Sequence, residues 1–328
     1  MMDDRIPFSC GDTLYLGGVP YRLMGDPVKE GDVIAYKASV PGMGVWNDIL
    51  IREYFPAGLQ QSICRKNNGD LACKKNAQGL FESNRAVFLR GEQAEAEYVS
   101  SFLQGTGVKT SCYDAYGTSY SVRVLPKTIT LEMFMEQNSG GLSLKKGLPW
   151  IMALADFLDK IHRQGLLHLR VMPSQIYLLG ERAVFLDHVC FWKKGSHDIP
   201  ESHGREISYM APEIRLQNAG DFCPATDLYS VALIFYRLLY GHHSQKNFGL
   251  VQESTKMPSD LAQALWFRKS LHILPRKRFS TAAAFETSLM QLEHSSELAS
   301  VDDCAACPKC GFKKPNRQSL HDYKSVLG

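Results

Sequence analysis

The chain has 328 residues, 45% of them hydrophobic and 22% charged, enough apolar material for one large two-lobed unit or two domains with an ample core. Its 37 basic residues stand against 34 acidic ones, a formal net charge of +3; so even a balance argues against a nucleic-acid or membrane-surface binder and for a mixed, solvated surface. Of nine cysteines, Cys10, Cys64, Cys73, Cys112, Cys190 and Cys223 are scattered without a framework spacing, which predicts a reduced, cytoplasmic protein and excludes a disulfide-stapled secreted fold.

The start, Met1-Met2-Asp3-Asp4-Arg5, is acidic with no apolar run behind it and does not read as a signal peptide; residues 1–13 are expected to form an N-terminal segment. From Leu14 to Leu125 short strands dominate. Tyr21–Leu23 and Val33–Lys37 are separated by Gly25, Pro27 and Gly31, a hairpin signal, and Asp48–Phe55 is a further strand closed by Pro56. Residues 57–80 are polar, with a turn at Asn67-Asn68-Gly69-Asp70. A helix is expected over Ser83–Leu103, then a turn at Tyr116-Gly117-Thr118 into a strand over Ser119–Leu125. Helices dominate afterwards. Pro149–Gln164 carries Ile151, Leu154, Leu158 and Ile161 at helical spacing and stops at Gly165. Two short strands follow, Gln175–Leu179 and Ala183–Leu186, and further helices over Thr226–Tyr240, Ser259–Ser270 and Thr281–Glu293. The most apolar run, Val231–Leu239, is interrupted by Arg237 and too short to span a bilayer, so no membrane insertion is expected. The pattern predicts an α+β protein, a strand-rich first lobe over 14–125 and a helix-rich second lobe over 126–293 with a cleft between them, followed by a polar tail over 294–328.

Several motifs then fall in one order along the chain. Ile161-His162-Arg163-Gln164-Gly165-Leu166-Leu167-His168 precedes Leu169-Arg170-Val171-Met172-Pro173-Ser174-Gln175; Phe185-Leu186-Asp187-His188-Val189 follows, then Met210-Ala211-Pro212-Glu213, Ala225-Thr226-Asp227-Leu228-Tyr229-Ser230 and Leu274-Pro275-Arg276-Lys277-Arg278-Phe279. Upstream stands Ile49-Leu50-Ile51-Arg52-Glu53-Tyr54-Phe55-Pro56. Together they resemble the eukaryotic-type Ser/Thr protein kinases of bacteria: the catalytic loop, the strand into Asp-Phe-Gly, the Ala-Pro-Glu motif, the large buried helix, the late loop and the Val-Ala-Ile-Lys strand. The resemblance covers about residues 14–293 and implies a two-lobed protein-kinase-like fold.

It also implies a degenerate member. The proton-accepting Asp, the Lys and the metal-binding Asn of the catalytic loop are matched by Arg170, Met172 and Gln175. A guanidinium, with a pKa above ~12, cannot accept a proton. Arg52 replaces the phosphate-binding Lys, and its expected helix partner is Glu95 or Glu92, the register being open; a structural ion pair between strand and helix is the plainer role. Gly25–Val33, at the place of the Gly-rich loop, has two glycines, Pro27 and three acidic residues, Asp26, Glu30 and Asp32, and reads as an ordinary hairpin. Asp187 is the best-preserved metal ligand and could hold Mg²⁺ weakly, with ATP in the cleft; Arg170 either pairs with Asp187 or points to solvent. The resemblance gives His168, Glu213, Asp227 and Arg278 structural roles: packing under the catalytic loop, a buried Glu213–Arg278 ion pair, and a hydrogen bond from the loop backbone to Asp227. Leu169 stands where an Arg would read loop phosphorylation.

The tail holds Cys304-Ala305-Ala306-Cys307-Pro308-Lys309-Cys310-Gly311, similar to one knuckle of a zinc ribbon. Cys304, Cys307, Cys310 and His321 could form a small zinc site; a truncated or shared ribbon, free cysteines and an iron–sulfur site are the other readings. The functional expectation is a pseudokinase, a regulatory module with a protein partner and at most residual nucleotide binding. The alternative is an atypical active kinase or nucleotidyl transferase using Asp187.

Overall fold

A computed structural model describes residues 3–42, 47–180, 184–186, 192–193, 208–241 and 260–304. Asp187, Cys307, Cys310 and His321 lie outside them. Alternating apolar residues build the first half as an antiparallel sheet of six strands: β1 (Thr13–Leu16), β2 (Val19–Glu30), β3 (Val33–Ser39), β4 (Asn47–Tyr54), β7 (Lys109–Ala115) and β8 (Thr118–Pro126), in the spatial order β1-β2-β3-β4-β8-β7. The sheet curls until its edges meet: a Cβ on Gly17, just after β1, would collide with the Tyr113 ring on β7. Between β4 and the long helix α1 (Gln78–Phe102), the polar stretch holds a small hairpin, β5 (Ile63–Arg65) with β6 (Leu71–Cys73), closed by the expected turn at Asn67-Asn68-Gly69-Asp70. It is seated on the β7–β8 turn. Tyr116 and Gly117 both have positive φ there, and a Cβ on Gly117 would strike the Leu71 carbonyl, so this left-handed position requires glycine.

The second half is helical: α2 (Leu131–Gln137), α3 (Leu144–Arg163), α4 (Pro212–Arg215), α5 (Pro224–Tyr240), α6 (Leu261–Ser270) and α7 (Ala282–Cys304). Short strand pairs lie between α3 and α4: β9 (Leu166–Leu167) with β12 (Trp192–Lys193), and β10 (Ile176–Leu178) with β11 (Val184–Leu186). Helix α5 is buried from Ala225 to Leu239, as its nearly unbroken apolar sequence demands. Helix α3 begins five residues before the expected Pro149, which lies inside the helix, and α7 runs on through residues assigned to the polar tail as far as Cys304.

Two hydrophobic cores result. One fills the curled sheet around Leu14, Tyr36, Ile51, Tyr54 and Tyr120. The other joins α3, α5, α6 and α7 around Leu154, Phe235, Trp266 and Phe285. Helix α1 belongs to both, with Phe81 and Phe88 in the first and Ala94, Tyr98 and Val99 in the second. The chain crosses between cores through residues 127–130, held to β10 by Leu178 N–H to the Ile129 carbonyl (3.1 Å). Among the described residues no helix is long and apolar enough to cross a membrane.

Candidate functional site

The segment 168–175 lies between β9 and β10, beside that crossing. Its geometry is set from below by Asp227, fully buried in the first turn of α5. Asp227 Oδ1 accepts the Leu169 N–H (2.7 Å); Oδ2 accepts the His168 N–H (2.9 Å) and meets His162 Nε2 at 2.8 Å. Leu169 is held at φ +59°, a left-handed conformation that a side chain resists, and the carboxylate receives the two successive amides that lead into that kink. Burial alone would raise the Asp227 carboxyl; the His162 hydrogen bond, the charges of His162 and His168 and the His168 N–H outweigh it and hold the pKa below the ordinary carboxylate value. His168 is buried, and its Nδ1 accepts the Arg170 N–H (3.2 Å).

Arg170 is half-buried, with its Nε shielded from water, so the side chain does not simply extend into solvent. Met172 is buried in the loop. Gln175 presents a buried Oε1 with no hydrogen-bond partner among the described residues, an acceptor with capacity to spare. These residues fit a Mg²⁺ ion poorly. The ion needs several oxygens, and alongside Gln175 the loop offers the guanidinium of Arg170 and the thioether of Met172. Among the described residues no three His, Cys, Asp or Glu side chains are grouped to hold a metal. In the tail set, Cys304 ends α7 and the other three positions fall outside the described residues.

The helix carboxylates settle next to a residue that the sequence did not single out. Arg123 of β8 is completely buried; its Nη2 meets Glu92 Oε2 at 2.7 Å and its Nε meets Glu95 Oε1 at 2.6 Å. Thr110 Oγ1 adds a 2.9 Å bond to Glu95. Arg52, buried on β4, sits opposite Ser121 of β8, on the sheet face that also carries Arg123. The ion pairs described for Glu92 and Glu95 go to Arg123. The available signal was a single arginine inside the apolar run Val122-Arg123-Val124-Leu125. Cys112, facing the same cluster, is pushed up to about 12 by burial and by Glu92, Glu95 and Asp114, which keeps it a thiol at neutral pH.

At the outer end of the sheet, β2 and β3 remain paired to the tip: Val28↔Ala35, Lys29↔Ile34 and Glu30↔Val33, with Gly31 and Asp32 alone forming the turn. Arg5 clamps this tip. Its Nη1 donates to the carbonyls of Gly31 (2.8 Å), Val33 (3.3 Å) and Phe55, while Lys29 Nζ reaches the Asp3 carbonyl at 3.0 Å. The ladder is broken between Met24 and Val28; there the Gly25 N–H is directed at Cys10 Sγ (3.2 Å) and Pro27 has no amide to offer an anion. Farther down, Glu213 and Arg278 form a bidentate buried pair (2.7 and 2.9 Å), and Arg278 also donates to the His272 and Ile273 carbonyls. The pair fastens α4 to the loop after α6.

No protein-family model matches the chain, and no curated protein matches it.

Proposed function

We propose that the chain is a kinase-like scaffold without phosphotransfer chemistry, a pseudokinase acting as a regulatory or protein-interaction module. The observation that carries this reading is Arg170: it occupies the place of the proton acceptor in a loop whose backbone is fixed by Asp227. Phosphoryl transfer depends on positioned charges and a group to take the hydroxyl proton. A permanent cation cannot take it, and it also repels the metal that would bridge the phosphates. The β2–β3 hairpin supports the same reading, because Arg5 holds its turn and its sequence carries Pro27, Asp26, Glu30 and Asp32 where phosphate would have to be held. Support for the kinase-like frame comes from contacts that the resemblance implied: the Glu213–Arg278 pair and the loop amides on Asp227. A protein held together at these points while its cleft lacks a base is suited to presenting surfaces to a protein partner.

The test is label transfer from γ-labelled ATP, with Mg²⁺ or Mn²⁺, to the protein itself and to a generic protein acceptor. The expected result is no label above a no-protein blank. Transfer that disappears in Asp187→Ala would overturn the proposal in favour of an atypical phosphotransferase.

A further inference from the structure

The turn that follows α6 carries a cationic surface that the cleft reading leaves unused. Arg268 stands exposed in the last turn of α6, and Arg276 and Lys277 stand exposed in the single helical turn Pro275–Lys277. His272 lies among them, and Ile273 and Leu274 expose their aliphatic side chains between them. Among the described residues Arg268, Arg276 and Lys277 have no ion-pair partner, unlike Arg163, which Asp159 meets at 2.6 Å. Burial, then the charges of Lys277, Arg278 and Arg268, hold the His272 imidazole below its ordinary pKa, and no carboxylate figures among the groups acting on it. Among the described residues the charges acting on His272 are therefore all positive.

The surface is also rigid. Arg278 grips the His272 and Ile273 carbonyls while paired to Glu213, and its guanidinium lies 4.6 Å from the centre of the Tyr229 ring. The His272 Nδ1 accepts the Leu274 N–H at 3.0 Å. A turn tied at four points presents its charges with little further ordering on binding.

We infer that Arg268, Arg276 and Lys277, with Ile273 and Leu274, form a docking site for an acidic peptide segment in which carboxylates flank an aliphatic side chain. The charges complement such a segment, and the two aliphatic side chains supply the apolar contact that fixes its register. Single-stranded nucleic acid fits less well, because Phe279, the aromatic ring beside the patch, is buried and cannot stack on a base. A membrane surface fits less well too, since two residues in a turn offer no amphipathic helical face. This site does not depend on whether the cleft is inert; a chain that transferred phosphate could carry it equally.

The probe is a fluorescein-labelled peptide of Asp and Glu residues around one central Leu, followed by anisotropy with the full chain. Saturable binding is expected at low salt, weakening as ionic strength rises towards ~0.5 M, where charges are screened beyond a few ångströms. Arg276→Glu/Lys277→Glu is expected to weaken it by roughly tenfold or more, a loss of the size seen when complementary charges become like charges. Lys145→Glu/Lys146→Glu, an equal charge change at the exposed start of α3, should leave it unchanged, and thermal melts should be alike for all three proteins. The proposal fails if the wild type does not bind the peptide, or if both reversals weaken it equally. It also fails if a single-stranded oligonucleotide or an anionic phosphatidylserine vesicle binds more tightly through Arg276 and Lys277.

Discussion

Asp227 shows how much of the second lobe rests on one carboxylate. Three donors converge on its two oxygens, and two of them are the successive backbone amides of His168 and the left-handed Leu169. Asp227→Asn keeps the volume but turns one oxygen into a donor aimed at donors. The expected loss is about 2–3 kcal/mol, the size of charge-assisted hydrogen bonds left unmade, read by urea denaturation at neutral pH. The pH dependence has a definite sign. The native carboxyl titrates below its unfolded value of about 3.9, so its contribution is complete above that pH and disappears as pH falls through the lower native value. The Asn variant should accordingly show a shallower acid limb than the wild type. This aspartate was picked out in the sequence by the resemblance carried on Ala225-Thr226-Asp227-Leu228-Tyr229-Ser230. Arg123 was not, because one charged residue on a strand says nothing of which helix face will meet it.

At the scale of elements, the packing of α3 against α7 contains a local conflict. Glu286 of α7 stands against Asp156 of α3, with Asp159 one turn on. Burial, then the charges of Asp156 and Asp159, push the Glu286 carboxyl up to about 7, with Arg163 opposing. Burial raises Asp156 as well, as does Asp159, against a lowering hydrogen bond with Glu286. A carboxyl raised in the native state binds its proton more tightly there than in the unfolded chain. It therefore favours folding at low pH and loses that contribution as pH climbs from about 4.3 to about 7. Glu286→Gln, which fixes the uncharged form, should raise the melting temperature at pH 8 and change it little at pH 5. An equal effect at both values would refute the coupling. Strand and helix periods revealed β3, β4, β8, α3 and α5 because each buries one regular stripe or is apolar throughout. They missed β1, β5, β6 and β7. The first and the pair in the polar stretch are four residues or fewer, and β7, Lys109-Thr110-Ser111-Cys112-Tyr113-Asp114-Ala115, is a half-exposed edge strand with too little apolar alternation to stand out.

Across the whole molecule, two cores share α1, and the same sheet carries a buried charge centre on each face. Arg123 with Glu92 and Glu95 lies towards α1; Glu53 with Arg65 (2.6 Å), Tyr36 and Tyr120 lies on the other side. Such centres cost desolvation and are retained where they fix how elements meet. They tie α1 and the β5–β6 hairpin to opposite sides of the sheet, while Arg5 ties the chain start to its tip. The division into a strand-rich and a helix-rich half was readable from the order of strand and helix patterns along the chain; the contact of Arg5 with the β2–β3 tip was not, because it joins residues far apart in sequence.

The central claim is that a guanidinium has replaced the proton acceptor on a scaffold whose β2–β3 hairpin also carries Pro27, Asp26, Glu30 and Asp32 where phosphate would have to be held. Steady-state ATP turnover by the wild type and by Arg170→Asp tests it most directly. Both are expected to remain at the blank, since restoring a carboxylate leaves the hairpin unchanged. Turnover by the wild type in the range of about 1–100 s⁻¹ that is usual for kinases, or substantial recovery in Arg170→Asp, would contradict it.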